Sequence, residues 1–143
     1  MNKTYINNNN YSNKWFYIDV SNKTLGRVST QIASNLKNKY SPYYAPYQMN
    51  KYCIIVINAD KIQISGQKKY KKIYKRHSGR PGSLKQETFI QLQKRLPARI
   101  LEKSIKGMLP KNALGRRLFT HLKIYSGSQH PHKAQKPTAL TIK

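Results

Sequence analysis

Cys53-Ile54-Ile55-Val56-Ile57 is the stretch of sequence that decides the fold. Its five successive apolar residues do not alternate with polar ones, which is typical of a strand in a parallel sheet that is covered on both faces. Upstream, the aromatic and β-branched run Trp15–Val20 predicts a first strand. Between the two runs, apolar residues spaced by three or four positions predict a helix over about 24–36, capped by Thr24 or Ser21. This order of strand, helix and strand indicates a right-handed β-α-β unit.

The rest of the chain adds further elements around this unit. Five of them are expected, in chain order: a strand at Lys61–Ser65, a helix through Phe89 and Leu96, a helix from Pro97 to Met108, a short helix through Leu114 and Leu118, and a last strand at Leu122–Tyr125. The tail after Gly127 carries no regular pattern. We therefore expect one α/β domain with a small, mainly parallel sheet flanked by helices.

Positive charge dominates the composition. The chain of 143 residues carries 28 lysines and arginines against four carboxylates, a formal net charge of +24. Repulsion on this scale disfavours the compact free protein, so a polyanionic partner is expected. Nucleic acid is favoured over a membrane surface, because no apolar run is long enough to span a bilayer. The scarcity of carboxylates also argues against most acid–base, glycosidase and carboxylate–metal chemistry.

The first candidate binding segment lies between Gln67 and Gly82, where cations alternate with aromatic rings and no carboxylate occurs. Lysines contact phosphates as point charges, an arginine donates two parallel hydrogen bonds to one phosphate, and aromatic rings stack on unpaired bases. A solvated charged loop is the alternative, although ordinary solvated surfaces mix both signs of charge. The candidate RNA-contacting residues here are Lys68, Lys69, Lys71, Lys72, Lys75, Arg76, His77 and Arg80.

A second candidate segment joins the end of one predicted helix to the start of the next, at 106–117. The free amides at a helix N-terminus favour phosphate, and the 41 residues after Glu102 include nine lysines and arginines but no carboxylate. The candidate residues are Lys106, Lys111, Asn112, Arg116 and Arg117.

The third candidate segment is the tail stretch SGSQHPHKAQKP, residues 126–137. His130 and His132 offer two metal-ligating nitrogens, but zinc normally takes at least three protein ligands, and no Asp, Glu or Cys follows Glu102. We therefore predict contact with RNA and no metal. The candidate residues are His130, His132, Lys133, Gln135 and Lys136.

Two enzymatic alternatives rest on single residues or pairs. Asp19 and Asp60 lie near the C-terminal ends of two predicted adjacent parallel strands, where a pair of carboxylates would hold Mg²⁺ for phosphoryl chemistry. The simpler interpretation is that each one stabilises a turn or accepts hydrogen bonds from backbone amides. Cys53 lies inside an apolar strand without a neighbouring base, which indicates a small buried hydrophobe rather than a reactive thiol. We predict no catalytic residue.

Four stretches resemble a known family: WFYIDVSNKTLGRVSTQIA (15–33), VINADKIQISGQKKYKKIYKRHSGRPGSLK (56–85), ILEKSIKGMLPKNALGRRL (100–118) and LKIYSGSQHPHKAQKP (122–137). Together they resemble the large-ribosomal-subunit protein thirteen family of bacteria and organelles. The resemblance implies a three-layer α/β/α fold with a small, mainly parallel four-stranded sheet and basic loops. It also implies a structural role without a cofactor: binding large-subunit ribosomal RNA and supporting early subunit assembly and translation, with the three basic segments facing the RNA. An RNA-binding regulator acting off the ribosome is the alternative.

These expectations extend to organisation, partners and location. We expect a disordered Asn-rich leader at 1–14, one domain at 15–127 and a basic RNA-facing tail at 128–143. The partners implied are large-subunit rRNA and neighbouring ribosomal proteins, with the chain a monomer within the ribosome, away from membranes and without a small-molecule substrate. Heavy use of Asn, Lys, Ile and Tyr, which have AT-rich codons, and the lack of a presequence pattern favour the plastid (chloroplast) stroma over the bacterial cytoplasm or the mitochondrion.

Overall fold

The apolar run Cys53–Ile57 lies inside a four-stranded sheet, with a parallel strand on each side. The structure is a computed structural model that describes residues 13–49 and 51–141. The sheet strands are β1 (Lys14–Asp19), β2 (Tyr52–Ile57), β5 (Leu122–Ile124) and β6 (Thr138–Ala139), in the spatial order β5-β2-β1-β6 and all parallel. A separate antiparallel hairpin consists of β3 (Ile73–Arg76) and β4 (Lys85–Thr88).

Five helices complete the described part of the chain: α1 (Leu25–Leu36), α2 (Lys68–Lys71), α3 (Phe89–Arg95), α4 (Pro97–Met108) and α5 (Ala113–Thr120). The structure confirms the α/β class and the small parallel sheet. Within the described residues, no helix is both long and apolar enough to cross a membrane. Of the leader expected at residues 1–14, residues 1–12 lie outside the described residues.

Alternation along the strands gives the sheet two different faces. Ile54 and Val56 of β2 are fully buried in the main hydrophobic core, together with Leu122 of β5. Helices α1 and α4 supply the helical side of this core and pack against each other. Ile55 lies on the opposite face, since neighbouring residues of a strand alternate, and the register places Tyr17 of β1 beside it. Each fully buried side chain of this size contributes about 1.5–3 kcal/mol.

Local sequence sets the boundary between α3 and α4. The hydroxyl of Thr88 accepts a hydrogen bond from the Gln91 backbone N–H at 3.4 Å, and the Gln91 side chain accepts one from the Thr88 N–H at 2.9 Å. This capping box starts α3. Pro97 occupies the first position of α4, where a missing N–H costs nothing. The break between the two helices predicted at this proline is confirmed.

Helix α1 is confirmed, but its expected side-chain cap is wrong. Thr24 occupies the capping position without a hydrogen bond from its side chain. Instead, the Leu25 N–H donates to the backbone carbonyl of Gln63 at 2.9 Å, so a neighbouring segment satisfies this donor.

The strand predicted at Lys61–Ser65 is wrong. Ala59–Lys61 form a 3₁₀ turn after the left-handed Asn58, and Gln63 makes only an isolated parallel bridge to Thr24. The backbone here bonds to the turn that follows β1, so it has no strand beside it with which to extend a ladder.

The expected irregular course of the tail is also wrong at one point. Thr138–Ala139 pair in parallel with Phe16 and Tyr17 and add the edge strand β6, and the Leu140 N–H donates to the Tyr17 carbonyl at 2.9 Å. The strand predicted at Leu122–Tyr125 ends at Ile124. It is also not the last strand, because β6 follows it.

We predict that Ile54→Ala lowers the free energy of unfolding by about 2–5 kcal/mol, because Ile54 is fully buried in the central strand and truncation leaves a cavity. Chemical denaturation followed by circular dichroism measures this. Ile73→Ala serves as the control, since Ile73 is 52% exposed and its loss is expected to change stability by less than about 0.5 kcal/mol. Equal effects of the two substitutions would contradict this account of the core.

Candidate nucleic-acid interface

The first predicted segment forms α2, β3 and the loop of the hairpin. All eight of its candidate side chains are exposed. The loop between the two strands turns at Gly79 and Gly82, whose φ angles of 95° and 72° lie in the left-handed region that glycine tolerates. Its shape is held by the Ser83 hydroxyl, which donates to the Arg80 carbonyl at 2.6 Å, and by His77 Nδ1, which accepts from the Gly79 N–H at 3.0 Å. The cations of this segment are therefore presented on a shaped hairpin.

Tyr74 is the aromatic residue of this segment that the fold partly buries. Two ammonium groups lie over its ring, Lys72 Nζ at 5.4 Å and Lys103 Nζ at 5.1 Å from the ring centroid. Burial raises the pKa of its hydroxyl, so the phenol stays neutral. The ring therefore contacts cations of its own chain, whereas Tyr70 is 72% exposed and has a face available for stacking.

The second predicted segment connects α4 to α5 through a tight turn. The Asn112 side chain caps α5, because its Oδ1 accepts a hydrogen bond from the Gly115 N–H at 2.8 Å. Gly115 is buried, and a Cβ atom built on it would overlap the backbone carbonyl of Pro110. The turn therefore requires glycine at this position. Its five candidate side chains, Lys106, Lys111, Asn112, Arg116 and Arg117, are all exposed.

A shallow cleft of about 400 Å³ lies within this second segment. Lys106, Lys111 and Arg116 line it beside the half-buried ring of Phe119. The Lys106 ammonium lies 5.9 Å from the centroid of that ring. Cations around an apolar floor suit the sugar–phosphate backbone of a nucleic acid, which has both kinds of surface.

The third predicted segment, in the tail, packs onto the second face of the sheet. Tyr125 Oη and His132 Nε2 are 2.8 Å apart, and the His132 ring lies 5.2 Å from that of Trp15 and 6.4 Å from that of His130. Lys133, Gln135 and Lys136 are exposed. Half-buried His132 thus anchors the tail, and the three candidate residues after it face solvent.

The structure places the first segment beside the end of α4. A cleft of about 520 Å³ is lined by Lys68 and Lys72 from the first segment and by Met108 at the end of α4, whereas none of the five candidate side chains of the second segment lines it. Arg27 of α1 also lines this cleft, and Lys103 of α4 reaches Tyr74. The sequence reasoning missed both cations, because each lies on an amphipathic helix and outside the runs of basic residues. The part of the tail around His132 lies on the face of the sheet opposite α1 and α4.

Of the carboxylate pair considered for Mg²⁺, Asp19 stabilises a turn through its side chain. Asp19 Oδ1 accepts hydrogen bonds from the Ser21 hydroxyl at 2.6 Å, the Ser21 N–H at 2.9 Å and the Asn58 side chain at 2.9 Å. The Ser21 hydroxyl bond is the main reason that the pKa of Asp19 is lowered. Asp60 lies in the 3₁₀ turn, where its backbone carbonyl accepts from Gln93 at 2.8 Å. Among the described residues, no three His, Cys, Asp or Glu side chains group to hold a metal ion.

Cys53 is half-buried on the second face of the sheet, with its Sγ 3.7 Å from His121 Nδ1. Burial raises the pKa of the thiol. The prediction that no base lies beside this residue is wrong, because folding brings His121 next to it. The raised pKa nevertheless keeps the thiol protonated, and a protonated thiol is a weak nucleophile.

Asp19 stabilises a turn, Glu87 and Glu102 pair with arginines, and the cations of the three segments are displayed on loops and helix surfaces. A small α/β domain of this kind has the character of a structural protein that assembles with a polyanion. The family model for ribosomal protein L13 matches residues 13–131. Over 144 residues the chain is 53% identical to the large ribosomal subunit protein uL13 of Cyanothece sp., covering 100% of this chain and 97% of that protein. It is 54% identical over 143 residues to uL13c of Guillardia theta, covering 99% and 100%, and 56% identical over 137 residues to uL13c of Pyropia yezoensis, covering 96% of each.

The chain therefore belongs to the ribosomal protein L13 family. It is a structural constituent of the large ribosomal subunit and not an enzyme. Membership of the subunit implies contacts with rRNA and with neighbouring ribosomal proteins. The family resemblance drawn from the four quoted stretches is confirmed.

We predict that Gly115→Ala lowers the free energy of unfolding by about 1–3 kcal/mol, because the new methyl group collides with the Pro110 backbone. Gly107→Ala is the matched control: Gly107 also lies in a helix, but no atom is within 4 Å of its added Cβ. The control is expected to stabilise the protein by about 0.5–1 kcal/mol through helix propensity. Thermal and denaturant unfolding measure both, and changes of the same sign in the two variants would contradict the prediction.

We also predict that His132→Ala loosens the tail and exposes Trp15, the only tryptophan of the chain. The expected result is a red shift of the tryptophan emission, stronger quenching by acrylamide and a loss of about 0.5–1.5 kcal/mol from the aromatic contact. His77→Ala, in the exposed hairpin loop, is the control and should leave the emission unchanged. An unaltered spectrum in the His132 variant would refute the anchoring role.

Proposed function

We propose that the protein binds large-subunit rRNA through the exposed side chains of its three basic segments and, by doing so, supports early assembly of the subunit. The observation that carries this proposal is the division of charge: the segments at 68–80, 106–117 and 130–136 present cations without a single carboxylate. Such surfaces bind phosphates with release of condensed counterions, so the affinity falls steeply with salt.

The three segments contribute in different ways. The hairpin and the α4–α5 turn offer cations beside exposed rings or apolar floors, which suits folded or unpaired RNA. In the tail, His132 holds the chain against Trp15 and Tyr125, while Lys133 and Lys136 reach phosphates. We infer that the tail at 128–143 acts as a positioned arm on the domain formed by 15–127.

We further propose that the protein works in the plastid ribosome. Its relatives include plastid and cyanobacterial proteins at similar identities of 52–56%, and the codon-biased composition favours the organelle. Mass spectrometry of ribosomes purified from isolated plastids of the source organism tests this: the chain should be recovered in the large subunit. Recovery only from another compartment would overturn the assignment.

The rRNA contacts are tested by replacing Arg116 and Arg117 with glutamine in the full chain. The logarithm of the affinity falls linearly with the logarithm of the salt concentration, and each lost phosphate contact makes this slope shallower by about 0.7–0.9. Because the variant binds with fewer contacts, it should leave large subunits at lower salt than the wild type on sucrose gradients. Lys39→Gln with Lys94→Gln removes the same charge from exposed positions outside the segments.

Release of the Arg116 and Arg117 variant and of this control at the same salt concentration would contradict the proposed contacts. A chain that sediments largely outside the large-subunit peak would instead indicate the regulatory alternative.

A further inference from the structure

A third cleft, of about 290 Å³, opens between the β3–β4 hairpin and helices α3 and α4. On the hairpin side, Arg76 lies directly opposite Lys85, and Tyr74 opposite Glu87. Because side chains alternate along a strand and opposed residues share a face, these four lie on one face of the hairpin, and all four line the cleft. Lys85 lies outside the three basic segments.

The helical side of the cleft adds three more cations. Arg95, at the end of α3, and Arg99 and Lys103, on α4, follow one another at intervals of four residues and all line the cleft. The floor between the two sides is apolar, with Leu92 buried and Leu96 42% exposed.

The negative charge that lines the cleft is already paired with a cation of the same chain. Glu87, its single carboxylate, is bound by Arg95 Nη2 at 2.6 and 2.7 Å to its two oxygens. That bond, followed by the charges of Arg95, Arg76 and Lys103, lowers the pKa of Glu87. Arg99 makes a longer contact of 3.3 Å with Glu102 outside the cleft.

The remaining cations repel one another. Arg76 and Lys85 are like charges directly opposed on antiparallel strands, an arrangement that destabilises a hairpin. Arg99 and Lys103 are like charges four residues apart on a helix, which is also unfavourable. Glu87 lies near Arg76 and Lys103 and offsets part of this repulsion, and a further anion between the two pairs would offset more of it.

We propose that this cleft binds the sugar–phosphate backbone of an rRNA strand, with a phosphate held between Arg76 and Lys85 on one side and Arg99 and Lys103 on the other. The inference rests on the proposed function and extends it from Arg76 of the first segment to Lys85, Arg99 and Lys103, which lie outside the three segments. The exposed surface of Leu96 receives the ribose. The guanidinium fork of Arg99 pairs with two phosphate oxygens, and Tyr74 fixes the direction of Lys103.

The test compares three full-length proteins for binding to a large-subunit rRNA transcript over a series of salt concentrations. Arg99→Gln with Lys103→Gln removes the helical pair, and Lys39→Gln with Lys94→Gln removes equal charge elsewhere. Because two cations no longer bind phosphate in the cleft variant, we expect it to bind about tenfold more weakly at moderate salt and its salt slope to fall by about 1.4–1.8. Thermal unfolding without RNA should show the cleft variant to be at least as stable as the control, because repulsion is relieved.

The outcomes separate this inference from the proposed function. If the wild type binds with a steep salt dependence and the cleft variant weakens no more than the control, the cleft is not a phosphate site, although the three segments still bind RNA. If the wild type itself binds without salt dependence, the proposed rRNA contacts fail.

Lysine acetylation distinguishes whether RNA or protein occupies the cleft. Acetylation of intact large subunits, read by mass spectrometry, should leave Lys85 and Lys103 protected relative to the free protein, with the protection removed by nuclease digestion. Protection that survives digestion would point to an acidic protein segment and overturn the assignment to RNA, as would full reactivity in the intact subunit.

Discussion

Repulsion among 28 lysines and arginines, opposed by four carboxylates, is the constraint that the rest of the structure accommodates. The carboxylates lie where they stabilise the scaffold. Asp19 closes the turn after β1 through Ser21 and Asn58, Glu87 pairs with Arg95, and Glu102 contacts Arg99. None lies within the three basic segments, so those segments keep their full positive charge for an external polyanion.

The scaffold withstands this charge because its apolar residues are concentrated on one face of the sheet. Ile54 and Val56 pack with α1 and α4 in a core free of ionisable groups, and the cations are displayed on the hairpin, on helix surfaces and on turns. Aromatic rings contact several of them: Lys72 and Lys103 lie over the ring of Tyr74, and Lys106 lies over that of Phe119. Packing therefore positions these cations, and under the proposed function rRNA supplies the compensating charge.

The sequence predicts those parts of the structure that depend on local pattern. The unbroken run at Cys53–Ile57 indicates a doubly covered parallel strand, and Pro97 marks the break between two helices. The strand predicted from the alternation at Lys61–Ser65 does not form. A strand also needs a second strand beside it, and the backbone there bonds to a turn instead. The edge strand Thr138–Ala139 is too short to carry a pattern and forms only because the tail returns to β1. The contact of His132 with Trp15 likewise depends on folding, so composition reveals a basic tail but not its anchor.

Amide hydrogen exchange of the full chain, with and without a large-subunit rRNA fragment, tests the central claim most directly. The account predicts that the amides of β1, β2 and β5 are protected in the free protein, since the apolar core holds them without help. Those of the hairpin loop at 77–84 and of the turn at 109–112 should exchange rapidly when free and become protected on binding. Protection of these loops that is unchanged by rRNA, or a sheet that is protected only when rRNA is present, would contradict it.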